Sequence, residues 1–180
     1  MLALLAATAS PCVAQNASAS HGSPDPQPTP KAVSVLQPSP APIEDFAAEQ
    51  ALLELANQRR QEAGAPPLRM DASLIVAARA HARLMVERQQ LSHQFDGEPQ
   101  LMPRLLETGL RLDHAGENVA FNASVEKAFE ALMQSPPHNR NLLDPSFNSA
   151  GFVAFWSNQR LYVVQDFAHR LPAVSQTSLR

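Results

Sequence analysis

The chain of 180 residues carries 14 Lys and Arg against 17 Asp and Glu, a formal net charge of −3, with 16 prolines and one cysteine. The slightly acidic balance argues against a nucleic-acid binder, which shows a basic surplus. The lone Cys12 excludes an intramolecular disulfide and any multi-cysteine zinc site.

At the N-terminus, Leu2 to Ala9 is an uncharged apolar run, followed by small residues up to Ala14. This pattern predicts a signal peptide over 1–14, cut after Ala14, and a secreted or periplasmic, cell-envelope location. The run is far short of the about 20 apolar residues of a membrane span, so no transmembrane span is expected in the mature chain. Cys12 precedes the cut, which leaves a mature chain without cysteine. Residues 15–43 are rich in Pro, Ser, Ala and Gln and read as a disordered linker biased to polyproline II, about 3.1 Å per residue. One domain over 44–170 remains, with a flexible tail at 171–180. A monomer is expected.

Within that domain the apolar spacing predicts helices first and a hairpin last. Ile43 to Ala63 has the 3.6-residue period of an amphipathic helix, with Phe46, Gln50, Leu53 and Ala56 on one face and Ala48 and Leu52 beside it. Gly64 and Pro66-Pro67 stop it. Asp71 or Ser73 caps a second helix, Leu74 to about Gln90. A short helix spans about Pro99 to Glu107. Ser124 caps a fourth, Val125 to Gln134, which Ser135-Pro136-Pro137 breaks. Ala150 to Trp156 and Leu161 to Phe167 are rich in Val, Phe, Tyr and Trp and read as an antiparallel hairpin. Helices beside an antiparallel sheet make an α+β sandwich the expected class.

Three polar pieces sit at element ends, where scaffolds present chemistry. They are Ser92-His93, Gly116-Glu117-Asn118, and Ser135-Pro136-Pro137-His138 with Asn141. His114 reads as a surface histidine. His81, on the apolar face of the second helix, reads as a buried, hydrogen-bonded one.

The spaced set Asn57, Arg60, Gly64, Leu68, Asp71, Leu74, Ala78, His81-Ala82, Met85, Ser92-His93, Gly116-Glu117-Asn118, Ser135 to His138, Phe147 and Gly151 resembles the CAP superfamily. That superfamily joins cysteine-rich secretory, antigen 5 and pathogenesis-related 1 proteins. Its bacterial SCP-like branch is the one resembled, over about Leu52 to Phe167. The resemblance implies a three-layer α-β-α sandwich with a central antiparallel sheet. It also implies a cleft in which His93, Glu117 and His138 converge, lined as well by Asn118 and Ser135. Leu132 and Ser135 stand where eukaryotic members carry a tryptophan and a second glutamate.

Two imidazoles and a carboxylate can hold zinc or another divalent cation and leave a position for water. His93, His138 and Glu117 are therefore the candidate metal ligands, and Glu117 the candidate catalytic residue. Three functions remain open. The first is a cleft-bearing binding module for a lipid, cell-envelope or protein ligand. The second is a structural cluster of His and Glu. The third is a metal-dependent hydrolase or protease.

Overall fold

The computed structural model describes residues 41–172. The expected signal peptide, most of the Pro-rich linker and most of the tail lie outside the described residues. In chain order the elements are β1 (Ile43–Glu44), α1 (Phe46–Glu62), β2 (Arg69–Met70), α2 (Ala72–Arg88), α3 (Leu101–Leu106), β3 (Leu112–Asn122), α4 (Val125–Gln134), α5 (Pro136–Leu143), β4 (Ser149–Ser157) and β5 (Arg160–Arg170). The sheet runs β1-β4-β5-β3, with β2 also paired to β4. It is antiparallel except for the short parallel β2–β4 contact, Arg69 opposite Ser149 and Met70 opposite Ala150.

Strict alternation on the strands divides two cores. Phe152, Ala154, Leu161, Val163 and Phe167 face α1, α4 and α5 with Leu52, Leu132 and Leu142. Val119, Val153, Phe155, Tyr162 and Val164 face α2 with Ala78, Ala82 and Met85. The result is the expected α-β-α sandwich.

The caps are the ones the sequence suggests, with one addition. Asp71 accepts from the Ser73 and Leu74 amides, and Ser124 from that of Lys127. Gly64, at φ +74°, provides the left-handed turn that ends α1. The addition is Asp45, which caps α1 through the Ala48 amide while its other oxygen accepts from the Trp156 indole. Ile43 and Glu44 are therefore not the first turn of a helix. They pair with Trp156 and Phe155 at the sheet edge. Phe46, expected inward, is 66% exposed, because the buried stripe is Ala48, Leu52 and Ala56. The β4–β5 hairpin closes through Asn158 and Gln159, both at positive φ, as a two-residue turn of the I′ kind requires.

Glu49 is a buried acid on α1. Burial pushes its pKa up to about 7, against the opposing effect of the Ala154 amide it accepts from and reinforced by nearby Glu44. In the folded chain Glu49 keeps a proton that an unfolded chain releases above its ordinary value of 4.5. The fold therefore loses stability from this group as pH rises from 4.5 to about 7. Glu49→Gln is expected to flatten that decline. Its melting temperature should exceed the parent's by a few degrees above pH 7, with the gap shrinking toward acid pH. Parallel melting curves for the two proteins, with pH as the variable, test this.

Candidate functional site

Among the described residues β3 ends the strand order of the sheet, and the candidate residues gather around it. Glu117 points to the α2 side and its neighbour Asn118 to the α5 side, as alternation demands. His93 arrives from the loop after α2, and His138 from the first turn of α5. The two imidazoles meet with ring centroids 6.2 Å apart.

The loop bearing His93 is held by His81. That ring is fully buried, its Nε2 donates to the Ser92 carbonyl at 2.8 Å, and its Nδ1 lies 2.7 Å from Glu98 Oε1. Glu98 also accepts from the Phe95 amide, which folds the loop back under α2. His93 itself is exposed, and its Nδ1 donates to Glu117 Oε1 at 2.9 Å. Its Nε2 takes no part in that bond.

The carboxylate of Glu117 is buried, and each of its oxygens accepts a hydrogen bond. Oε2 accepts from Arg104, whose other terminal nitrogen donates to Glu98 at 3.1 Å. Arg104 is only 5% exposed although it sits in the sequence Leu101-Met102-Pro103-Arg104-Leu105-Leu106. Arg104 and Glu98 were not legible as site residues. A single cation in an apolar short helix, with its partner in a neighbouring loop, was the available signal. Asp166 on β5, directly opposite Glu117 in register and fully buried, was also not foreseen. Its signal was an acid on the apolar face of Tyr162 and Val164.

His138 is half-buried. Burial, and then the neighbouring His93, lower its pKa below the ordinary histidine value. This favours a neutral ring with a lone pair to offer.

Two expected cleft residues have other tasks. Asn118 is fully buried and bolts α5 to the sheet. Its Nδ2 donates to the His138 carbonyl at 3.1 Å and to Gln165, and its Oδ1 accepts from Asn141. Ser135 is the joint between α4 and α5. Its amide donates to Leu132 O, its carbonyl accepts from the Asn139 amide, and its side chain makes no cap hydrogen bond. His114 lies at the surface, stacked on Phe147 at 4.7 Å and 3.2 Å from Asp144.

His93, His138 and Glu117 do not fit a three-ligand metal set. Both Glu117 oxygens already accept hydrogen bonds, and Arg104 supplies the positive charge it faces. Among the described residues no three His, Cys, Asp or Glu side chains are arranged to hold a metal ion. What the site offers outward is a pair of imidazoles over a braced carboxylate. Two hollows lie elsewhere on the domain. One of about 650 Å³ runs along Pro66, Arg69, Asn148 and Arg170, and one of about 730 Å³ along Leu53, Asn57 and Gln61 of α1.

Comparison with known proteins agrees with this architecture. Residues 53–167 match the Cysteine-rich secretory protein family, CAP. The uncharacterized protein YkwD of Bacillus subtilis (strain 168) is 31% identical over 125 residues, 66% of this chain and 49% of the relative. The chain thus spans about half the length of that relative. An extracellular SCP-domain protein of Bacillus anthracis superposes with a TM-score of 0.61 at 25% identity, over 68% of this chain and 40% of that one. An outer surface protein of Borrelia burgdorferi shares the fold, with a TM-score of 0.68 at 18% identity over 73% of this chain and 98% of that one. The chain belongs to the cysteine-rich secretory protein (CAP) family, in its bacterial SCP-like branch.

Proposed function

We propose that this chain is an exported binding module whose seat is the His93–His138 pair, and that it takes a polar ligand of the cell envelope. The observation that carries this reading is the engagement of Glu117. With one oxygen on Arg104 and the other on His93, the carboxylate braces the site and is not free to act on a bound molecule. Two imidazoles with one ring exposed provide hydrogen bonds to a polar or anionic group. Export is supported by the apolar Leu2–Ala9 run and by the extracellular relative from Bacillus anthracis. No helix among the described residues is long and apolar enough to cross a membrane.

Muropeptides released from bacterial cell wall by a muramidase are the probe. Titrating them into the protein should shift the side-chain resonances of His93 and His138, and His138→Ala should weaken binding by about tenfold or more. No response of either ring overturns the reading. The pairing of His93 Nδ1 with Glu117 also resembles the orientation of a general base. If mass spectrometry of the same mixture shows cleavage that disappears in Glu117→Gln, a hydrolase replaces the binding module.

A further inference from the structure

We propose that Arg69, Arg170 and Arg111 form a second binding site, across the end of the sheet where β2, β4 and β5 meet, and that it takes an extended phosphodiester-linked polyol chain of the cell envelope. The site shares no residue with the His93–His138 seat and does not rest on it.

Strand order brings the three arginines together. β2 and β5 flank β4, with Arg69 opposite Ser149 and Ser149 opposite Ala168. Ala168 packs toward α2 with Leu74 and Ala77. Alternation puts Arg69, in register with Ser149, and Arg170, two residues past Ala168, on that same face. Arg111 follows one strand further on, its carbonyl accepting from the Leu171 amide at 2.8 Å. Neighbouring strands lie about 4.8 Å apart, so the three side chains rise from a row roughly 15 Å long. Asn148 ties the row at its centre. Its carbonyl accepts from the Arg69 amide at 3.3 Å, and its side-chain oxygen from the Arg170 amide at 2.9 Å.

Two hollows follow this row. Arg69 and Arg170 line one of about 650 Å³, and Arg170 and Arg111 line a smaller one of about 180 Å³. All three arginines are exposed. Among the described residues that line the two hollows, the one acid is Asp71. Its carboxylate is already committed, Oδ1 to the Ser73 and Leu74 amides and Oδ2 to Arg170 at 2.8 Å. Asp113, two residues beyond Arg111, is taken by His169 at 2.7 Å. In a chain of net charge −3, this end of the sheet therefore carries a local positive excess, which attracts a polyanion.

The layout selects the kind of polyanion. A row that crosses three strand spacings suits charges that repeat along a chain better than one small ion. A phosphodiester carries its charge within the chain and shows non-bridging oxygens to both sides. Guanidinium groups on either flank of β4 can then each take an oxygen, in the fork geometry that suits phosphate. A polycarboxylate carries its charges on branches instead. Pro66, Pro67, Met70, Leu171 and Pro172 offer apolar wall to the carbons of a polyol. Among the described residues no aromatic side chain lines either hollow, so a nucleic-acid base would find nothing to stack on.

A synthetic oligomer of glycerol phosphate is the probe, titrated by calorimetry into the whole chain at several salt concentrations. The parent should bind it, with affinity falling as salt rises. Arg69→Ala and Arg111→Ala should each weaken binding about fivefold or more at low salt, and lower the slope of log K against log salt by about one. Both side chains are exposed, so the melting temperature should stay near the parent's. Arg69→Lys keeps the charge without the fork and should keep part of the affinity. Arg170 is left in place because it holds Asp71, the cap of α2. The control is Arg83→Ala, which removes the same charge from α2 over Phe155, near the other end of β4. An equal loss in that variant would assign binding to net charge and overturn the proposal. Failure of the parent to bind the oligomer overturns it too. So does equal or tighter binding of inorganic phosphate at matched phosphate concentration, or of polyglutamate or oligothymidylate of matched charge. The muropeptide titration uses another probe and other residues, so either reading can fail alone.

Discussion

Replacing Gly151 with alanine is expected to destabilise the fold by about 3 kcal/mol or more, at or beyond the upper end of ordinary overpacking. The added Cβ would lie 2.3 Å from the Leu74 carbonyl carbon and 2.6 Å from both the Ile75 amide nitrogen and Leu74 Cβ. Two of these are backbone atoms, so no rotamer change relieves the clash. β4 cannot retreat, because it is paired to β5 on one side and to β1 and β2 on the other. The start of α2 cannot easily retreat either, since the Asp71 amide donates to Ala150 O at 2.8 Å and Asp71 caps the helix. Lifting α2 would part Ala78, Ala82 and Met85 from the strands and would carry His81 away from Ser92. The His93 loop would then loosen with the core. Two other glycines serve as controls. Gly116→Ala meets only side chains, the Phe147 ring at 3.1 Å and Asn141 Cγ at 3.4 Å, and Gly64→Ala meets nothing within 4 Å but sits at φ +74°. Each should cost on the order of 1 kcal/mol. Urea denaturation of the three variants tests the ranking. A Gly151→Ala protein no weaker than Gly64→Ala would show that the α2–β4 spacing is adjustable.

The same Gly151 illustrates what was legible in the chain. It belonged to the spaced set that pointed to the family, yet nothing in one sequence says which backbone approaches it. The helices were readable because their apolar period, caps and stops are local. Asp71, Ser124 and Gly64 act within a turn or two of themselves. β3 was harder. Only Val119 to Phe121 shows strand character, and the rest of Leu112–Asn122 is polar because its residues build the site and the edge. α5 was missed because Pro136-Pro137 reads as a break. In the structure those prolines open a new helix, where their missing amides cost nothing. The structure sets His93 and His138 beside each other with His93 on Glu117, while Asn118 and Ser135 fasten α5 to the sheet and to α4. Arg104, Glu98 and Asp166 escaped notice for a common reason. Each is an acidic or basic residue that the fold buries, and such burial becomes visible only once the surrounding elements are in place.

Arg60→Ala is expected to cost about 3–5 kcal/mol, through orphaned carbonyls more than through the cavity. Arg60 is fully buried, and its hydrogen bonds all go to backbone oxygens. Nε donates to Pro66 O at 2.6 Å, Nη1 to Leu142 O at 2.7 Å and Asp144 O at 2.9 Å, and Nη2 to Phe147 O at 3.0 Å. One side chain thus ties the turn after α1, the end of α5 and the approach to β4. The α5 carbonyls lie at the negative end of that helix, which suits a cation. Burial lowers the guanidinium pKa and nearby Asp144 raises it. Arg60→Met separates the two contributions to the loss. It restores most of the volume but supplies no donor, so it should recover little of the stability lost in Arg60→Ala. Arg60→Lys keeps the charge but lacks the planar fork and its reach, and should recover only part. Near-full recovery by methionine in urea denaturation would assign the loss to packing and sink the hydrogen-bond account. Because α5 also presents His138 and holds Asn141 against the Glu117 carbonyl at 3.1 Å, loosening it should reach the site. Arg60→Lys, where it folds, should therefore broaden the His138 side-chain resonances before global unfolding sets in.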